Sequence, residues 1–225
     1  MIKGIAFDLE GTVVDLEPAH HNAHLRVCHE LGIDLTLEEA IEKIHHFIGG
    51  PDSIIAEEIF ELSGERESPA WIVGRDAAYY KELLATMPIV PRDGFLEILD
   101  QCKKRGIKTA IGSLTEDNDA RHILDASGLS KFFDTNTVVL KSHVKNLKPA
   151  PGVFIETAKR MGIEPSVQLV FEDSPRGIEA ARKAQSRAIG MPVYDTPTVI
   201  AALRNAGAEE VFLHWRDIPI DRLLV

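Results

Sequence analysis

The sequence predicts an α/β protein: a doubly wound, Rossmann-like parallel sheet core with an α-helical domain inserted after the first strand. Two observations carry this reading. Apolar runs at residues 2–7, 108–112, 137–140, 167–171, 188–191 and 211–214 behave as strands. From the second onward they are separated by single helical stretches, which requires parallel pairing through right-handed crossovers. Between the first and second runs, the roughly seventy residues after Val14 carry helical patterns throughout, which marks an insert.

The first strand, 2–7, is of the fully buried kind and stops abruptly at Asp8, Glu10, Gly11 and Thr12. The insert, residues 16–88, holds four expected helices. The first, 18–31, is ended by Gly32, and the second is capped by Thr36 and runs to Phe47; the others cover 52–62 and 71–85. Pro88 and Pro91 bracket the exit, so the core comprises residues 1–15 and 89–225. There a helix at 93–105, closed by Gly106, leads into the strand that ends at Ser113-Leu114-Thr115. A helix at 116–127 is stopped by Gly128, and the 137–140 strand is followed by a polar loop to Lys148-Pro149. The helix at 151–161 ends at Gly162, and the unbroken 167–171 strand ends at Glu172-Asp173-Ser174. Helices at 176–184 and 196–205 complete the alternation.

Composition narrows the function classes. A chain of 225 residues with 44% hydrophobic residues can bury one good core and a smaller appendage. A formal charge of −10 leaves no basic field for nucleic acid or an anionic membrane, so an anionic ligand must be held by a local site. No apolar run reaches membrane-spanning length. Cys28 and Cys102 form no CxxC motif and no signal peptide is visible, so the expected compartment is a reducing cytoplasm. Oligomeric state stays open.

Parallel strands deliver the polar groups that follow them to one edge of the sheet, where open α/β sheets bind ligands. Those groups are Asp8, Glu10 and Thr12, then Ser113 and Thr115, then Lys148, then Glu172 and Asp173. Taken singly each has an ordinary structural explanation, such as a cap, a turn or a solvated loop charge. Together they are the parts of a phosphoryl-transfer site: carboxylates for a divalent metal, a nucleophile, hydroxyls, a lysine and helix N-termini.

The order Asp8-Leu9-Glu10-Gly11-Thr12, Ser113, Lys148-Pro149 and Glu172-Asp173-Ser174-Pro175-Arg176-Gly177 resembles the four motifs of the haloacid dehalogenase (HAD) superfamily. It is most similar to the β-phosphoglucomutase and phosphoglycolate phosphatase-like branch, in which a helical cap follows the first motif. Asp15 and Glu17-Pro18-Ala19-His20 match that branch's entry into the cap. The resemblance implies a Mg2+-dependent hydrolase of a small phosphomonoester, a sugar phosphate or phosphoglycolate-like acid. It implies that Asp8 becomes an aspartyl phosphate, that Thr12, Ser113 and Lys148 hold phosphoryl oxygens, and that Asp8, the Glu10 carbonyl and Asp173 ligate Mg2+, with Glu172 in or beside that set.

Glu10 departs from the resemblance, since the usual residue there is a second Asp that protonates the leaving group and then activates water. The extra methylene moves the carboxyl by about 1 Å, while the two reference acidities differ by only about 0.4 unit. The enolase-phosphatase branch is similar in carrying Glu here, which favours an active enzyme. Two alternatives stay open. One is a β-phosphoglucomutase-like phosphomutase, disfavoured because the arginine that family carries near Gly49-Gly50-Pro51-Asp52 has no counterpart. The other is a protein that binds a phosphorylated ligand without turning it over, because of Glu10.

The insert is expected to hinge as a lid. Gly49 and Gly50 are candidate substrate-facing backbone, Arg75 a candidate cap cation or a solvated charge, and His20 a candidate hydrogen-bond partner for Glu10. Six of the nine histidines lie in the insert, at 20, 21, 24, 29, 45 and 46. His20 and His24, one turn apart, could chelate a metal, but with no thiolates to match they read as part of a wet helix face.

Overall fold

The computed structural model describes residues 1–48 and 50–225, which form two compact units, Met1–Asp15 with Pro88–Val225 and Leu16–Met87. Gly49 lies outside the described residues. No helix among the described residues is long and apolar enough to cross a membrane.

The first unit is built on six parallel strands: β1 (Gly4–Phe7), β2 (Lys108–Gly112), β3 (Val138–Val139), β4 (Gln168–Glu172), β5 (Arg187–Gly190) and β6 (Glu210–Val211). Their order across the sheet is β3-β2-β1-β4-β5-β6, the doubly wound arrangement that the alternation predicts. β1 and β4 are buried along their whole length, as strands covered on both faces must be. Phe7 pairs with Ile111 on one side and Phe171 on the other. The residues just past β1, β2 and β4 are therefore neighbours where the strand order reverses.

Beneath that point the Phe7 ring meets Phe95, Phe171 and Trp215 at centroid distances of 5.1, 5.7 and 5.7 Å. These tightly packed aromatic pairs stiffen the floor of the strand ends. Six helices belong to this unit: α5 (Phe95–Lys104), α6 (Asp117–Ala126), α7 (Gly152–Met161), α8 (Pro175–Lys183), α9 (Pro197–Asn205) and α10 (Ile220–Leu223).

The second unit contains α1 (Glu17–Glu30), α2 (Leu37–Lys43), α3 (Asp52–Leu62) and α4 (Pro69–Thr86) around a core that includes Val27, Ile44, Phe47, Ile55, Ile59 and Ile72. Thr36 and Glu39 form a capping box at the start of α2. That helix stops four residues short of the expected Phe47. Glu58 is the physical reason: its carboxylate accepts from the His46 backbone N–H at 3.0 Å and meets His46 Nδ1 at 2.7 Å, holding the chain in a turn while Ile44 and Phe47 stay buried.

Candidate active site

Asp8 is the first residue after β1, and its backbone N–H donates to the Phe171 carbonyl at 3.0 Å, which ties it to β4. Its carboxylate is buried and accepts a 2.5 Å hydrogen bond from Lys148 Nζ. The same ammonium donates to Glu172 Oε1 at 2.5 Å and to the Gly112 carbonyl at 3.3 Å. One cation thus joins the ends of β1, β2 and β4. Lys148 itself is held from behind, since Arg176 donates to its carbonyl from Nε at 3.1 Å and from a terminal nitrogen at 2.7 Å.

Glu172 has both oxygens engaged: Oε2 accepts from the Ser174 N–H at 2.8 Å and the Ser174 hydroxyl at 2.9 Å. Ser174 in turn caps α8 by accepting from the Gly177 N–H at 3.1 Å. A Cβ at Gly177 would overlap the Glu172 carboxylate, which Lys148 and Ser174 prevent from moving aside. Gly177→Ala is expected to destabilise the protein by about 1–3 kcal/mol despite the better helix former, measurable as a lower urea midpoint.

Asp173 accepts from the buried Thr12 hydroxyl at 3.0 Å. Gly11 adopts φ 75°, and a Cβ there would overlap the Asp173 carboxylate, so a glycine is required on both counts. Beside this cluster, the Thr115 hydroxyl donates to Glu10 Oε1 and lies 2.9 Å from the Ser113 hydroxyl. The structure therefore brings Asp8, Glu10, Thr12, Ser113, Lys148, Glu172 and Asp173 to one end of the sheet.

Ligand atoms of Asp8, Glu172 and Asp173 all lie within 4.8 Å of one another. Three carboxylates converge beside one ammonium, which pairs with Asp8 and Glu172, leaving a formal surplus of two negative charges. Burial, only partly offset by Lys148, raises the Asp8 carboxyl from 3.8 to about 7, and nearby Glu172 and Glu10 push the same way. Asp173 is likewise raised, by burial first and then by Glu172 and Asp8. Burial would lower Lys148, but Asp8 and Glu172 outweigh it and hold the ammonium above its ordinary range. Carboxylates that cannot all stay charged without a further cation, with oxygen donors only, fit Mg2+.

The insert residues sit in their own unit. His20 stacks on Tyr80 with ring centroids 4.1 Å apart. Arg75 donates from Nε to Glu30 at 2.9 Å and from a terminal nitrogen to the Tyr79 hydroxyl at 2.9 Å. The Gly50 N–H donates to the His46 carbonyl at 3.0 Å, and a Cβ at Gly50 would collide with that carbonyl. The wet-face expectation fails at His24, which is 3% exposed and paired with a buried Asp76.

One residue near the site escaped the sequence reading. Arg92, just past Pro91, donates to the carbonyls of Gly11, Thr12, Met191, Pro192 and Leu213. It gathers the loop after β1 and the segments after β5 and β6 onto one guanidinium. A lone arginine before an acidic helix start carries no motif, and its acceptors are backbone groups that every residue possesses.

A model of the family described as haloacid dehalogenase-like hydrolase matches residues 2–185. The chain belongs to this family. This HAD-like hydrolase is 33% identical over 187 residues to fructose-1-phosphate phosphatase YqaB of Escherichia coli (strain K12), with 83% of this chain and 94% of that protein covered. It is 31% identical over 188 residues to the phosphorylated carbohydrates phosphatase of Thermotoga maritima, covering 81% of this chain and 82% of the relative. A solved structure described as a putative β-phosphoglucomutase from Thermotoga maritima superposes with a TM-score of 0.78 at 26% identity, with 100% of both chains covered. The resemblance to the β-phosphoglucomutase and phosphoglycolate phosphatase-like branch is thereby upheld, and the chain is a phosphoric monoester hydrolase.

Proposed function

We propose that this HAD-like hydrolase is a Mg2+-dependent phosphatase of a small phosphorylated carbohydrate, acting through an aspartyl phosphate on Asp8. The observation that carries the reading is the single buried ammonium of Lys148 between Asp8 and Glu172, with Asp173 and Thr12 alongside. The named substrates of the two phosphatase relatives support a sugar monophosphate.

In this reading an Asp8 oxygen attacks phosphorus while the ester P–O bond breaks, and Glu10 gives its proton to the departing sugar oxygen. Water then attacks the same phosphorus, Glu10 takes back a proton, and the Asp8 carboxylate leaves as free phosphate forms. Lys148, Thr12 and Ser113 hold the non-bridging oxygens. Asp8, Asp173 and the Glu10 carbonyl, with Glu172 beside them, would hold Mg2+, which when bound neutralises charge on the nucleophile and the phosphoryl group. Thr115 fixes the direction of the longer Glu10 side chain through its hydroxyl.

The test is phosphate release from a panel of hexose, pentose and hexitol monophosphates, with Mg2+ and with EDTA. Mg2+-dependent turnover of at least one sugar phosphate is expected; a panel inert with Mg2+ would refute the proposal. Glu10 gives a second check. Glu10→Gln is expected to lower kcat by on the order of a hundredfold, and Glu10→Asp to change it less than about tenfold. A silent parent awakened by Glu10→Asp would instead identify a phospho-ligand-binding protein.

A further inference from the structure

We propose that the helical unit carries a second divalent-cation site, formed by His24 of α1, Asp52 at the start of α3 and Asp76 of α4, and suited to a Zn2+-like transition metal. Ligand atoms of the three side chains all lie within 4.8 Å of one another. His24 and Asp76 are 3% and 6% exposed, beside the apolar core that includes Val27, Cys28, Phe47 and Ile72.

The contact between His24 and Asp76 is not an ordinary hydrogen bond. Nδ1 of the ring lies 2.7 Å from Asp76 Oδ1, close enough for an ion pair. Yet Oδ1 is buried and, among the described residues, accepts no hydrogen bond. Distance and direction therefore disagree: the two atoms touch without the alignment a hydrogen bond requires. A buried carboxylate oxygen left without a donor is costly, and such atoms call for an explanation. A shared cation supplies one. Two donors bonded at about 2.0–2.2 Å to the same ion sit roughly 3 Å apart, with lone pairs directed at the ion and not at each other.

Asp52 completes the set from the solvent side. It is exposed at the first turn of α3, so its carboxylate can rotate to close the remaining distance and leaves an entry path for an ion. Phe47 packs edge-on against the His24 ring at 5.6 Å, fixing its plane. Cys28, one turn beyond His24, is not among the side chains whose ligand atoms converge there. One imidazole nitrogen and two carboxylate oxygens, with positions left for water, favour a borderline first-row dication over Mg2+. The all-oxygen Asp8 cluster of the other unit has the opposite preference.

The experiment is calorimetric titration of Zn2+ into the full-length protein held in saturating Mg2+, comparing the parent with Asp52→Asn and Asp76→Asn. The parent is expected to bind one more Zn2+ than either variant, or to bind it at least tenfold more tightly, and to gain about 5 °C more in Tm on Zn2+ addition. Asp52 is exposed, so Asp52→Asn preserves the fold even where Asp76→Asn does not. Equal Zn2+ stoichiometry and affinity in the parent and Asp52→Asn overturns the proposal and leaves His24 and Asp76 a structural pair.

Discussion

Asp8→Asn is expected to lower kcat for any sugar phosphate by at least about a thousandfold and, at the same time, to raise the Tm of the metal-free protein. In the proposed mechanism the first effect follows from removing the attacking oxygen, since the loss of a covalent nucleophile costs more than the loss of any group that only positions it. The second follows from linkage. A carboxyl raised from 3.8 to about 7 on folding binds its proton more tightly in the native state. Stability therefore falls as pH rises from 3.8 to about 7, and the full cost is present above 7. Burial is the main cause, with Glu172 and Glu10 adding to it and Lys148 only partly offsetting it. Asn keeps the size and an oxygen for Lys148 but carries no charge to desolvate. In EDTA at pH 8 the variant should melt about 5 °C above the parent, on the order of 2 kcal/mol, and the gap should shrink toward pH 5. Adding Mg2+ should raise the parent's Tm more than the variant's, because a dication relieves the crowding of carboxylates that the substitution removes. A variant that melts below the parent at pH 8 in EDTA would show that Asp8 is not a stored electrostatic cost.

How far the sequence anticipated this site depends on what kind of group each residue contacts. Asp8, Ser113 and Glu172-Asp173 were legible because apolar runs mark parallel strands, and the pairing of Phe7 with both Ile111 and Phe171 puts the following residues side by side. Lys148 comes from a long loop after β3, so the strand pattern brings it only to the sheet edge as a polar group that follows that strand, and the resemblance assigns its role. His24 was misread for a different reason. The buried positions of α1 are Ala19, Ala23, His24, Val27 and Cys28, a stripe at helical spacing on which His24 falls. Counting it with the other insert histidines hid that position, and its partner Asp76 lies on a separate helix. The end of the chain was illegible because its elements are too short for periodicity: the turn at Trp215–Asp217 and α10 (Ile220–Leu223) show no repeat, although Trp215 is fully buried and donates to the Thr12 carbonyl at 3.2 Å.

Arg92→Met should produce the largest loss of stability available from a single side chain near the site. The guanidinium reaches Gly11 O at 2.7 Å, Met191 O at 2.7 Å, Leu213 O at 2.8 Å, Pro192 O at 3.0 Å and Thr12 O at 3.4 Å. Carbonyl dipoles take the place of a carboxylate partner. Burial lowers the Arg92 pKa from its ordinary value, against the pull of Asp173 and Asp15, but arginine remains charged throughout any useful pH range. Methionine retains much of the apolar stem and removes every donor, leaving several carbonyls without partners at once. Each orphaned buried acceptor costs about 1–3 kcal/mol, and the costs do not add because the loops relax together. A net loss of about 4 kcal/mol is the expected result, a fall in Tm of roughly 10 °C. Arg92→Lys, with one compact ammonium in place of a planar fork, should recover less than half of it. Two of the carbonyls belong to Gly11 and Thr12, whose backbone sets the position of the Thr12 hydroxyl and the approach to Asp173. Misplacing such groups by a fraction of an ångström weakens transition-state contacts more than substrate binding, so kcat should fall by about ten- to a hundredfold with KM changing less. The measurement is a urea unfolding curve together with kcat and KM taken well below the variant's Tm. Wild-type stability and kcat in Arg92→Met would mean that the three segments hold their places without the guanidinium that joins them.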